Sequence, residues 1–313
     1  MNQLQGQILD VVKGSVATVT LFLAFIYLPL LGMIPGLFAP VPGAYFTLKS
    51  GRRVGCAIVL TASALLLALA DPGVVAIYLL QAGILSLALP EFLLRLKGGA
   101  RSVVYAVAIN LAVLLLAAGI YALSTGADLH AKVTQGVQTS IAQTAQLYEK
   151  SGVKGDDLKA MQESMRQAGE LMVTVYPAML TLAFGLVACL NLMVLARIAA
   201  RVRMPLFLGN FKKYRNPEPL VWLLIAAGFG MLAPDQRVYL ACLNVLIVLC
   251  AVYSAQGFAV IGHFFTRLKV PAFIRILATL FLFLQPFMVL AVAALGVFDL
   301  WGDFRNPKKQ ENL

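Results

Sequence analysis

Apolar residues in this chain fall into long runs parted by short polar or basic separators. The runs cover about 15–33, 36–48, 54–70, 74–94, 102–124, 172–196, 219–233, 238–262 and 272–297. The longer ones meet the ~20 apolar residues that cross a bilayer core as a helix. The first two form one uncharged stretch, for no charge falls between Lys13 and Lys49, 35 residues. A straight helix of that length would be roughly 50 Å against about 30 Å of hydrocarbon, so one crossing cannot use it. Pro35-Gly36 is the natural break, and Pro40 and Pro42 shorten the second piece, because proline removes a donor and strands a carbonyl one turn earlier. The pattern predicts an all-α fold: a polytopic transmembrane helical bundle of eight or nine spans, one of them short and broken. Nine passes put the N-terminus inside and the C-terminus outside; eight put the N-terminus outside. The whole chain, 1–313, reads as a single transmembrane domain.

One long polar excursion interrupts the runs, residues 125–171. Leu129, Val133, Val137, Ile141, Ala145 and Tyr148 recur at helical spacing. Beyond Gly152 and Gly155, Asp156 or Asp157 can cap a second helix carrying Leu158, Met161, Met165 and Leu171. The spacing predicts an antiparallel helical hairpin on the outer face, continuous with the membrane helices on either side.

Composition agrees with the pattern: 60% of residues are hydrophobic, 12% are charged and the mean hydropathy is +0.85. Ordinary globular chains run nearer ~25% charged. The net charge of +11 would suggest nucleic acid in a soluble chain. Here fifteen of the 25 basic residues lie in alternate separators, 49–53, 95–101, 197–215 and 267–275. That is the positive-inside pattern, it makes those separators cytoplasmic, and it leaves no role for nucleic acid. Arg201, Arg203, Lys212, Lys213 and Arg215 make a basic ledge over 197–216, with anionic lipid headgroups as the expected ligand. Cys56, Cys189, Cys242 and Cys250 sit inside apolar runs, form no metal-ligand spacing and read as packing residues.

The search for reaction chemistry returns little. There is no GxxxxGK[ST], HExxH or GxSxG, and His130 and His263 are isolated. No enzyme, no cofactor and no metal is expected. The spans carry neutral amides instead: Gln81, Asn110, Asn191, Asn244, Gln256 and Gln285. Such groups turn inward and bond across helices. Tyr253, Gln256 and Gly257 lie within one turn, and Gln285-Pro286 sets an amide beside a helix break, where freed carbonyls become available. With the broken segment, whose freed backbone groups have Asn110 and Gln256 as their nearest partners by depth, Pro35, Gly36, Pro40, Gln81, Asn110, Tyr253, Gln256 and Gln285 are the candidate solute-binding residues. Glu91 and Arg95, four apart, should pair.

Several local patterns together resemble the YybS-like family, bacterial inner-membrane proteins grouped as a domain of unknown function. They are the proline-glycine break of 29–43, Gly51 with Gly55 and the hairpin's return through Tyr176-Pro177. Tyr253 to Gly257 and Phe298 to Arg305 complete the set. The first six spans are also remotely similar to the substrate-binding membrane subunits of energy-coupling-factor transporters, departing from them where Ala17 and Ala24 stand seven apart. The resemblance implies a multi-pass protein of the bacterial inner membrane. Two functions stay open. One is a solute-binding or transport protein for a small neutral molecule, with a polar cavity near 29–48. The other is a non-transporting scaffold or assembly factor that recruits partners or anionic lipid, with an oligomer left open.

Overall fold

The computed structural model describes residues 3–28, 31–95, 98–151 and 155–305. The turn of the hairpin at 152–154, Lys97 of the second basic separator and the last eight residues lie outside the described residues. In chain order the helices are α1 (Gln3–Tyr27), α2 (Met33–Leu37), α3 (Pro40–Ser50), α4 (Arg52–Leu69) and α5 (Pro72–Tyr78). A π-helical turn, Leu79–Gly83, joins α5 to α6 (Ile84–Leu94). Then come α7 (Gly99–Thr125), α8 (Leu129–Lys150), α9 (Asp156–Arg201), α10 (Leu220–Gly230), α11 (Gln236–Arg267), α12 (Ala272–Leu284) and α13 (Pro286–Gly302). Every regular element among the described residues is helical, as the pattern predicts.

Six of these helices are long and apolar enough to cross a membrane, or seven if α12 and α13, bent by 104° at Gln285-Pro286, count as one span. The hydrophobic runs predict eight or nine. The difference lies in two places. The 36–48 run is divided between the five-residue α2 and the eleven-residue α3, and the 219–233 run supplies only the eleven-residue α10.

The chain divides into two compact units. The first comprises residues 1–127 and 183–209. Its N-terminal end is tied by Lys49, which donates to Asp10 at 2.8 Å, and by Ser50 at 2.5 Å. At the other end Gly36 lies against Phe25. The α2–α3 segment therefore returns alongside α1, as a broken and distorted element. Gly51, at φ 93°, takes a conformation favoured by glycine and hands α3 to α4 in one residue. Two apolar clusters fill this unit. Val19, Phe22, Val59, Leu66 and Tyr78 form one. Leu85, Leu89, Leu93, Ala106, Val187 and Leu195 form the other, into which the final third of α9 packs.

The second unit comprises residues 128–182 and 210–313. It holds the hairpin. α8 starts at Asp128, whose carboxylate accepts from the backbone N–H of His130 and Ala131, a capping arrangement that satisfies two orphan donors. The hairpin is not continuous with the preceding membrane helix: α7 stops at Gly126, left-handed at φ 65°, while α9 does run unbroken for 46 residues. The seam also differs from the expected stripe. Ile141 and Val137 pack on Gly169, whereas Leu171 is 62% exposed. Gly169 continues the four-residue step from Met165 and admits Ile141, and Leu171 is off that face.

α11 and α13 make the tightest crossing in this unit. A Cβ on Gly257 would lie 1.9 Å from the Val292 carbonyl oxygen, and one on Gly296 would lie 2.1 Å from that of Tyr253. The obstacle is backbone on both sides, the small-residue contact that lets membrane helices approach closely. Gly296→Ala is therefore expected to cost about 1–3 kcal/mol, the usual toll of overpacking. Gly228→Ala, with open space around it, is the neutral control. Reversible unfolding of both variants in mixed detergent checks this.

Candidate functional site

Three amides of the spans, Asn191, Asn244 and Gln256, have found partners, and most of those partners are backbone. In the broken segment the N–H groups of Phe38, Ala39 and Val41 reach back only three residues, to Pro35, Gly36 and Phe38. Pro40 and Pro42 have no N–H to give. The Leu37 carbonyl is thus left without a helical donor, and Asn191 Nδ2 supplies one at 2.8 Å. The amide that meets the break is Asn191 rather than Asn110 or Gln256. Ser86 donates to the Pro40 carbonyl at 3.1 Å, and Gly43 lies close against the same serine.

Pro177 lies inside α9 in the second unit, and Asn244 of α11 inserts its amide beside it. Its Oδ1 accepts from the Ala178 N–H at 2.9 Å and its Nδ2 donates to the Thr174 carbonyl at 3.0 Å. Those two backbone groups are four residues apart and would normally bond each other; the amide is inserted between them, a recognised cause of helix bending.

The densest cluster surrounds Asp299, a carboxylate with no exposed surface near the end of α13. Arg305 pairs with its Oδ2, and Gln256 Nε2 donates to the same oxygen at 3.0 Å. Gln256 Oε1 accepts from the Asn216 N–H at 2.9 Å, and Tyr214 donates its hydroxyl to Asn216 Oδ1 at 2.6 Å. Arg305 also donates to the carbonyls of Lys212 and Tyr214, and Arg215 to those of Asp299 and Leu300. Gly262, late in α11, lies against Lys212. The C-terminal ends of α11 and α13 and the 210–216 segment therefore gather at one end of this unit. An outside C-terminus opposite a cytoplasmic 197–216 does not fit that arrangement. The bend at Gln285-Pro286 explains it, because α12 and α13 leave and come back where one straight span would have crossed.

The other predicted site residues are divided between the two units. Pro35, Gly36, Pro40, Gln81 and Asn110 belong to the first unit, with Gln81 in the π-helical turn. Tyr253, Gln256 and Gln285 belong to the second; Gln285 is exposed at the bend and Tyr253 is buried in the apolar cluster with Leu249 and Ala293. Asn110 is fully buried, and neither its oxygen nor its nitrogen has a hydrogen-bond partner. Of the ledge residues, Arg201, Arg203 and Lys213 are exposed, whereas Arg215 is held by α13. Glu91 and Arg95 pair at 2.7 Å as expected. Among the described residues no group of three His, Cys, Asp or Glu is placed to hold a metal.

A multi-helix chain whose buried amides brace helix breaks has the build of an integral membrane protein, and a model of predicted membrane proteins, DUF2232, matches residues 16–300. The chain belongs to this family. No curated protein and no solved structure matches it. For this DUF2232 member, Asp299, Arg305 and Asn216 are the residues that sequence reasoning passed over. Their signal was present in the charged end of the Phe298–Arg305 motif.

Removing one partner of a buried pair leaves an uncompensated charge. Arg305→Met is expected to destabilise by about 3–5 kcal/mol, and Asp299→Asn added to it should restore much of the loss. A double-mutant cycle by detergent unfolding checks this. On the hairpin, hydrogen bonds from Arg166 and then Gln167 hold the Glu163 carboxyl down to about 2 from the ordinary 4.5. Their contribution is in place above 4.5 and lost as the pH falls through 2, so the Glu163 carboxyl signal in an NMR titration should not move between pH 6 and pH 4.

Proposed function

We propose that this protein is a non-transporting membrane scaffold of the bacterial inner membrane, with its hairpin on the outer face as a docking platform. The observation that carries the reading is the engagement of Asn191, Asn244 and Gln256 with backbone and with a buried ion pair. Amides fixed in that way hold the helices in register and are not available to a passing solute. The hairpin adds support. α8 and the start of α9 are held together by a narrow seam, and their outer faces are broadly exposed, Leu147 at 64% and Tyr148 at 44%. The exposed bases of the 197–216 ledge suit anionic lipid on the cytoplasmic side. The reading involves no catalysis.

Asn110 favours a second reading. A buried amide with four bonding sites and no protein partner invites water or a small neutral solute.

Two measurements separate these readings. A photo-crosslinking side chain at Leu147 or Tyr148 should yield one discrete adduct in intact cells, and the same side chain at Val137, in the seam, should yield none. A small molecule retained by the native protein in mass spectrometry and lost in Asn110→Val would overturn the scaffold in favour of the solute. Ser151→Cys should react with an impermeant maleimide from the outer face; reaction only after permeabilisation would reverse the orientation.

A further inference from the structure

In the second unit, α10, α11 and α13 enclose an open groove of about 300 Å³. Its walls are mainly apolar: Leu224 from α10, Cys250 and the ring of Tyr253 from α11, and Leu290, Ala293, Ala294 and Val297 from α13. It exists because α13 presents two alanines in succession where its neighbours carry large side chains. The groove follows α13 as far as Phe298, and the next residues, Asp299 and Leu300, are those whose carbonyls anchor Arg215. The Arg215 guanidinium is thus anchored on the turn of α13 that follows the groove's last residue. Lys212 and Lys213 stand beside Arg215 in the chain, against Asp303 at 4.0 Å from Arg215 and the nearby Glu218. Arg305 is neutralised by Asp299. The balance at the mouth is positive.

We infer that this groove holds one acyl chain of an anionic phospholipid whose phosphate sits on Arg215 and Lys213. The chemistry has two parts, and each residue set fits one. Mainly apolar walls suit a chain, and a partly exposed guanidinium, planar and able to fork, suits phosphate. Arg215 is held by α13 before any lipid arrives, so its position costs little on binding. Exposed Phe298 and Trp301 flank this end of α13, where aromatic rings sit at headgroup level. The inference rests on the lipid part of the reading above and narrows it from a charged surface to a single bound molecule.

The test uses the full-length protein in nanodiscs of phosphatidylglycerol and phosphatidylcholine, with retained lipid counted by native mass spectrometry after extraction. The wild type should retain phosphatidylglycerol over phosphatidylcholine by about thirtyfold, the scale expected of two basic residues near an anionic ligand. Lys213→Gln with Arg215→Gln should abolish that preference. Ala294→Trp fills the groove from an exposed position and should remove the retained lipid while leaving both basic residues in place. Should the tryptophan variant not fold, the native thiol gives the same answer. With Cys56, Cys189 and Cys242 changed to alanine, Cys250 should react more slowly with a lipid-soluble maleimide in phosphatidylglycerol than in phosphatidylcholine. If Ala294→Trp retains phosphatidylglycerol normally, or Cys250 reacts equally in both lipids, the groove is overturned and the surface ledge stands. If the wild type shows no preference at all, both fall.

Discussion

A proline in a membrane helix leaves a carbonyl that water cannot reach, and an unsatisfied group in hydrocarbon costs several kcal/mol. Near two of this chain's prolines, Pro40 and Pro177, backbone groups without a helical partner are met by an asparagine from another helix. Asn191 answers the Leu37 carbonyl, and Asn244 bridges Thr174 to Ala178. Each asparagine needs its helix at one rotation and one depth, because a carboxamide on a short side chain reaches only about 3 Å. Two amides thereby fix how α9 meets the broken segment and how α11 meets α9. Apolar packing alone would leave such helices free to slide, since lipid tails are as apolar as leucine.

The glycine crossing of α11 and α13 and the Asp299 cluster obey the same logic at closer range. With no side chain between Gly257 and Val292, the two backbones touch, and one residue before that contact Gln256 is brought within reach of Asp299. Arg305 then closes the cluster onto the 210–216 segment. Packing sets the distance, and the charges use it.

Much of this was legible in the sequence. Runs of apolar residues and their basic separators gave the helices, Pro35 to Pro42 gave the break, and Glu91 with Arg95 gave its ion pair. The failures have physical causes. Length alone suggests that 272–297 crosses once, because Gln285-Pro286 reads as a mild interruption in a string of letters and a bend of 104° depends on what the two halves pack against. Depth alone points to Asn110 and Gln256 as partners of the break. Depth does not report rotation about the helix axis, and Asn191 has the rotation. Hydrophobicity puts Leu171 on the hairpin seam, yet Gly169 sits there because Ile141 needs the room. Asp299 escapes notice because a carboxylate near a helix end looks solvated until the arginine six residues later is seen to fold back on it.

That fold-back has a consequence for how the chain is made. A translating ribosome delivers residue 299 before residue 305, and α11 and the 210–216 segment long before either. Until Arg305 has emerged, Gln256 is the side-chain partner left to the Asp299 carboxylate. An acidic group near a helix terminus is tolerated during insertion far better than one at the centre. α13 is thus admitted provisionally and secured only when Arg305 arrives, so a chain truncated between Asp299 and Arg305 would carry every helix described above and still lack this closing bond.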